Sequence, residues 1–264
     1  MISLSVRRRI ALLGAVLMVS TGLPAQDKPI VAVLYFDNGA LVRPADYAPL
    51  SKGMADMMIT ELSGNTKLRV VERDRLQTII DELKLSETDR VDRSTAVRIG
   101  RLLNARHLLT GGYVIDPKEK QMRLDVRAID VETSEIEFGE TLSGDPGNVF
   151  GLINDLAKRV SLRVEKLPAS STTPAGAGAA PATRPAPPAT APRNAPTATT
   201  ASAAIPKAGP DKFRAVMLLS RALIAQDKGK RDDAIAFYRQ AIDVYPNYTR
   251  AKVLLAQLES RSED

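Results

Sequence analysis

The stretch RHLLTGGYVID, Arg106 to Asp116, gathers the residue types most able to do chemistry in this chain. It holds the one histidine, His107, and the run Thr110-Gly111-Gly112. An imidazole can act as a general base near neutral pH, and a glycine-rich turn can cradle a phosphate. A phosphate loop also needs a Lys, a Ser or Thr at fixed spacing and a following helix. Here the next residues, YVID, continue a strand pattern, so the two glycines read as a bulge or a close backbone approach. His107 has no serine-nucleophile pattern, no second histidine and no HExxH motif beside it. It reads as a structural histidine at a strand start. Asp37-Asn38-Gly39 follows an apolar run, at the kind of strand end where α/β sheets hold ligands, although Asn-Gly also serves plain turns. Asp37, Asn38 and His107 are therefore the ligand candidates. Acidic pairs such as Asp81-Glu82 and Glu135/Glu137 read as solvated faces. Met54, Met57 and Met58 offer a soft groove for a partner or, at their spacing, a core face.

Catalytic, cofactor-binding and metal-binding residues are expected to be none. The chain has no cysteine, which excludes thiol catalysis, disulfides and thiolate metal sites. Aromatic residues make up 4% and tryptophan is absent, which argues against aromatic cages and base-stacking platforms.

The elements that would position these residues alternate between strand and helix. IVAVLYF, Ile30 to Phe36, is a continuous apolar run, as in a strand buried on both faces. Leu50, Met54, Met57, Met58 and Leu62 mark one helix face between Asp46 and Gly64. LRVV, Leu68 to Val71, is a second strand. A helix with Asp74 as its cap then carries Leu76, Ile79, Ile80 and Leu83. The next, from about Ser94, carries Ala96, Ile99, Gly100 and Leu103, and Gly100 calls for a close helix–sheet contact. HLLTGGYVI, QMRLDVRAIDV and EIEFGETL form a meander with one wet face. Even-numbered apolar residues can pair across the last two strands only through an odd loop. Glu132-Thr133-Ser134 fits, with Ser134 left-handed. A helix from Gly147 to Leu167 closes the unit with Phe150, Ile153, Ala157, Val160 and Val164. The fold class is α/β (α+β): a mixed sheet of about five strands covered by helices, plus a separate C-terminal α-helical hairpin.

Four segments follow from composition. Residues 1–25 read as a signal peptide, with Arg7, Arg8 and Arg9 before an apolar run and Ala25 at the cut. Residues 27–167 are the α/β unit, with 21 basic and 23 acidic side chains. Residues 168–210 hold ten of the 17 prolines and read as a disordered linker. That linker would span about 35 Å as a coil and about 130 Å extended. Residues 211–264 are helical, with 10 basic and 8 acidic side chains. The formal charge of +6 is thus spread thinly, and no basic stripe suits a nucleic acid.

IVAVLYFDN, LSKGMADMMITELSGNTKLRVVERDRLQTIIDEL, AVRIGRLLNARHLLTGGYV and RLDVRAIDVETSEI, in this order, resemble the CsgG family of curli export. They are also similar to the amino-terminal domain of TolB-type envelope proteins. The resemblance covers nearly all of residues 27–167. It implies a periplasm-facing, non-catalytic α/β domain that assembles with itself or with envelope proteins. Curli exporters are acylated on a cysteine, which this chain lacks. Their pore members also carry long membrane hairpins, for which the connections at Asp116 to Lys120 and Glu132 to Ser134 are too short. The C-terminal RDDAIAFYRQAIDVYPNYTRA resembles a tetratricopeptide repeat, with Ala222, Gly229, Ala234, Tyr238, Ala241 and Pro246 at the spacing of its packing positions. Such arrays usually need about three units. The helices from Lys212 to Leu258 are therefore expected to bury their spare face against a partner, another copy or the first domain.

Three functions stay open. The first is a non-catalytic exported scaffold or accessory of the cell envelope, periplasmic or peripheral to the outer membrane. Its partners would be envelope proteins and further copies of itself, not nucleic acid. The second is a subunit of a curli-type export channel. The third is a small-ligand sensor or enzyme using Asp37 or His107.

Overall fold

The computed structural model describes residues 28–85, 91–116, 118, 120–167 and 211–260. The expected signal peptide and the 168–210 linker lie outside the described residues. Among the described residues no helix is long and apolar enough to cross a membrane.

The apolar run at Ile30 supplies β1 (Ile30–Val33) and stops short of Phe36; a two-residue strand, β2 (Asp37–Asn38), follows it. The chain then forms α1 (Pro44–Tyr47), α2 (Leu50–Ser63), β3 (Arg69–Val70), α3 (Arg73–Glu82) and α4 (Arg93–Leu102). A meander of β4 (His107–Asp116), β5 (Gln121–Asp130) and β6 (Ile136–Gly144) comes next, and α5 (Val149–Val164) closes the unit. The six strands form one mixed sheet in the order β3-β1-β4-β5-β6, with β2 on β4. β1 is parallel to both β3 and β4, while β4, β5 and β6 are antiparallel.

The residue before helix α3 is Glu72, whose side chain makes no capping bond, and Asp74 sits inside the first turn and not at the cap. The carboxylate of Asp92 accepts the Thr95 N–H at the start of α4, satisfying one of the amides a helix start leaves open. A Cβ on Gly100 would lie 2.6 Å from a methyl of Val131, so glycine there lets α4 close onto the strand end.

The β5–β6 connection reaches the expected pairing by another route. Ala128 faces Phe138 and Leu124 faces Leu142, even with even. Asp130 and Glu135 pair across a loop of even length, and a bulge between Ala128 and Ile129 restores the parity. Ser134 is left-handed, at φ 62°. A register constrains only the sum of loop and bulge, so either route keeps the apolar residues on one face.

Helices α3 and α4 cover one sheet face through Leu76, Ile80, Ala96 and Ile99, against Ala32, Leu34, Leu108 and Ile129. α2 and α5 cover the other, against Val31, Val33, Leu109, Tyr113 and the β5 residues Met122, Leu124, Val126 and Ala128. Beyond them lie α6 (Asp211–Asp227), α7 (Arg231–Val244) and α8 (Thr249–Ser260). Of the three resting places open to these helices, the structure has the first domain: Val216, Leu219 and Leu223 join the α2–α5 core. Three helices fall short of the about three helix pairs such an array usually needs, and the α/β unit supplies the missing surface.

Candidate functional site

His107 is fully buried between Val31 and Asp130 on the neighbouring strands. Its Nδ1 lies 2.8 Å from a carboxylate oxygen of Glu137. Glu137 is the extra residue that the β5–β6 bulge inserts, and bulges re-aim side chains in this way. Gly111 and Gly112 sit inside β4. A Cβ on Gly111 would meet the Asp125 carbonyl at 2.6 Å and the Phe36 ring at 2.9 Å. The glycine lets that ring lie across the strand, so the Thr-Gly-Gly run is part of the sheet.

Asp37 and Asn38 pair with Gly112 and Tyr113, five residues further along β4 than His107. At the rise of a strand this places them about 16 Å from His107. The structure therefore does not bring the ligand candidates together. Asn38 shapes its own turn: its amide donates to the Pro44 carbonyl at 2.7 Å and its oxygen accepts the Ala40 N–H.

Asp37 and Asn38 do line a cleft of about 940 Å³ at the carboxyl end of β1. Leu34, Ile80 and Ile99 give it an apolar wall, and Tyr35, Lys52, Gln77 and Asp227 a polar one. The polar wall is a buried network. Lys52 on α2 donates to Asp227 at 2.6 Å and to the side-chain oxygen Oε1 of Gln77 at 3.1 Å, which also accepts the Tyr35 hydroxyl at 2.6 Å. The Arg73 guanidinium, from α3, reaches both oxygens of Asp227 at 2.9 and 3.0 Å. Burial pushes the Tyr35 hydroxyl well above its ordinary value. Burial, the largest single influence on Arg73, opposes its charge, but Asp227, Tyr35 and Asp74 together outweigh it and the guanidinium is held more firmly protonated than usual.

Asp227 ends α6, so this network bolts the C-terminal helices to the α/β unit. A second bolt pairs Asp56 of α2, fully buried, with Arg250 of α8 through two hydrogen bonds, one at 2.9 Å. Between them Gly53 faces Ser220, where an added Cβ would come within 1.9 Å of the hydroxyl. Phe150 of α5 packs edge-on to Tyr248, centroids 4.9 Å apart, and tilted against Tyr245.

Ala222, Ala234, Tyr238 and Ala241 are fully buried where α6 and α7 meet. The Tyr238 hydroxyl donates to Gln226 at 2.9 Å. Gly229 takes φ +69° in the turn between the two helices, and Pro246 lies in the turn before α8. Four of these six positions thus lie inside the helical segment, while Gly229 and Pro246 are exposed in its turns.

Sequence reasoning missed Lys52, Asp56, Arg73, Asp227 and Arg250. The partners are 154, 175 and 194 residues apart, and no local pattern links them. The available signal was Gly53 and Ala55 beside those charges, small residues that a solvated helix face does not require.

Residues 14–115 match the family model of the curli production assembly/transport component CsgG. Over those residues the chain is CsgG-like. Solved structures with a partial likeness include the LpoB C-terminal domain from Escherichia coli, at 19% identity and TM-score 0.36 over 46% of this chain and 86% of that one. Lipoprotein GNA1162 from Neisseria meningitidis aligns at 10% identity and TM-score 0.38, over 50% and 96%. A PelC dodecamer from Paraburkholderia phytofirmans aligns at 16% and 0.34, over 52% and 88%. No curated protein matches the chain.

Proposed function

We propose that this protein is an exported, non-catalytic accessory or scaffold of the cell envelope, acting by contact with envelope proteins and with further copies of itself. The observation that carries this reading is the match of residues 14–115 to a curli assembly and transport component. The chemistry of the buried groups agrees with it. Nδ1 of His107 is engaged by Glu137 inside the sheet, and Lys52, Arg73 and Asp227 are engaged in joining two parts of the chain. A nucleophile, a base and a stabilising donor do not converge on one point among the described residues. The tetratricopeptide-like helices belong to the same proposal: their α7–α8 surface, with Val253 exposed, is the face left to a partner. A membrane-spanning strand needs about 9 to 11 residues, and the β4–β5 and β5–β6 connections are shorter than that, which favours an accessory over a pore. The test is fractionation of cells producing the full-length chain, with cross-linking in the envelope. Recovery in the envelope with cross-linked partners supports the role. A chain that stays in the cytoplasm and cross-links to nothing overturns it.

One observation favours a second reading. The cleft beside Asp37 has an apolar wall and a few convergent polar groups, as small-ligand sites do. Native mass spectrometry of protein purified from envelope extract would reveal a retained small molecule. An Asp37→Ala chain that still carries it would remove Asp37 from the site.

A further inference from the structure

The face of the α/β unit that bears Lys52, Gly53, Asp56 and Arg73 is a docking site written in charge. It offers two cations at one end and a carboxylate at the other. The α6–α8 segment answers with Asp227 and Arg250 in the matching order. The side chains of Lys52, Arg73 and Asp227 are 3%, 3% and 6% exposed, and that of Asp56 is fully buried. A segment docked in the reverse sense would set Asp227 on Asp56 and Arg250 on Lys52 and Arg73, like on like, which repulsion forbids in a buried interface. Gly53 adds a steric condition, because only a side chain as small as Ser220 fits against it. Site and occupant thus recognise each other specifically, and both are carried on every copy of the chain.

They are joined by the 43 residues 168–210. That length of chain can reach about 130 Å, several times the roughly 30 to 40 Å diameter of a folded unit of this size. We propose that α6–α8 exchange between copies: the segment of one chain docks on the α2–α3–α5 face of a second copy, with the same pairs, and straps the two together. The contacts are identical within and between chains, so only effective concentration decides between them. A tether of this kind holds its own segment at about millimolar concentration. Exchange is therefore a property of copies already crowded together, and dilute chains stay singly docked. The inference extends the proposed self-association by naming its occupant.

The experiment uses two full-length variants, Asp56→Arg and Arg250→Asp. Each alone sets like charges against each other within its own chain. Mixed, the altered face of the first accepts the altered helix of the second, and the two unaltered halves also match. Light scattering after mixing should show a dimer containing one chain of each kind, enriched about thirtyfold over either variant alone. The chain carrying both changes should be a docked monomer at micromolar concentration. A mixture that stays monomeric while the double variant is docked overturns exchange.

Should the altered faces not fold, the unaltered interface answers the question. The chain has no cysteine, so Leu162→Cys and Val253→Cys, both at exposed positions, each accept one dye. Energy transfer between donor chains labelled at the first and acceptor chains labelled at the second should grow on incubation near millimolar concentration. It should vanish when the acceptor chain also carries Arg250→Asp. No transfer, or transfer that survives that change, overturns the proposal. A monomeric mixture whose chain still cross-links in the envelope separates failure of exchange from failure of the envelope role.

Discussion

Helix α2 has two buried faces of opposite kind. Toward the sheet it presents Leu50, Met54, Met58 and Leu62, all apolar and at most 1% exposed. Toward α6 and α8 it presents Lys52, Gly53 and Asp56, buried as deeply. The first face is held by the removal of apolar surface from water, which is not directional and tolerates some change of shape. The second is held by paired charges and a close backbone approach. Such an interface adds little net stability when intact and loses much when one partner goes. One helix thus has a face that drives folding and a face that selects what docks on it.

The largest expected effect comes from removing the charge that serves two cations. Asp227→Ala should destabilise by about 4 kcal/mol, because Lys52 and Arg73 stay buried and lose their shared carboxylate. Denaturant unfolding followed by circular dichroism measures it. If the helices were an independent module, the transition of the α/β unit would not move, and the contrast between the two faces would fail.

Met54→Ala on the opposite face should follow, at about 3 kcal/mol, from lost burial and the cavity left behind. Its size should be insensitive to salt, whereas the exposed rim of the charged interface should weaken as salt rises. A strong salt dependence in this variant would blur the distinction between the faces.

Gly53→Ala should lower stability by about 2 kcal/mol, through overlap with Ser220. Ser220→Gly in the same chain should recover part of that loss, since it removes the atoms 1.9 and 3.1 Å from the added methyl. A neutral Gly53→Ala would mean that α6 sits further from α2.

The smallest effect is one of pH. Burial raises the hydroxyls of Tyr35, Tyr113, Tyr238 and Tyr248 well above the ordinary 10.0. In the unfolded chain these groups ionise near that ordinary value, while in the folded chain they keep their protons. The stability they contribute is therefore full below pH 10 and falls as pH rises above it. Ultraviolet titration should show these four ionising only together with unfolding. Smooth titration of all six tyrosines in folded protein would contradict their burial.

Much of the α/β architecture was legible in residue order. The period of two in Met122, Leu124, Val126 and Ala128 reports a strand wet on one side, and all four face the core. The stripe at Ile153, Ala157, Val160 and Val164 reports α5, and Gly100 reports its close neighbour. The bulge that turns Glu137 toward His107 was not legible, since loop and bulge trade against each other without changing the pattern of apolar residues. Nor was the boundary at Phe36: a run of apolar residues says that the chain is buried, not where it leaves the strand.

Periodicity determined the longer elements of the α/β unit, their order and their apolar sides, because side chains repeat along a helix or strand with a fixed spacing; β2 and α1 are too short to carry such a period. Only the tertiary structure decided that α6–α8 share the core of the α/β unit and that Lys52, Asp56 and Arg73 lie inside. A charged residue looks the same in a sequence whether water or a distant counter-charge solvates it, and here the counter-charges arrive from helices far along the chain.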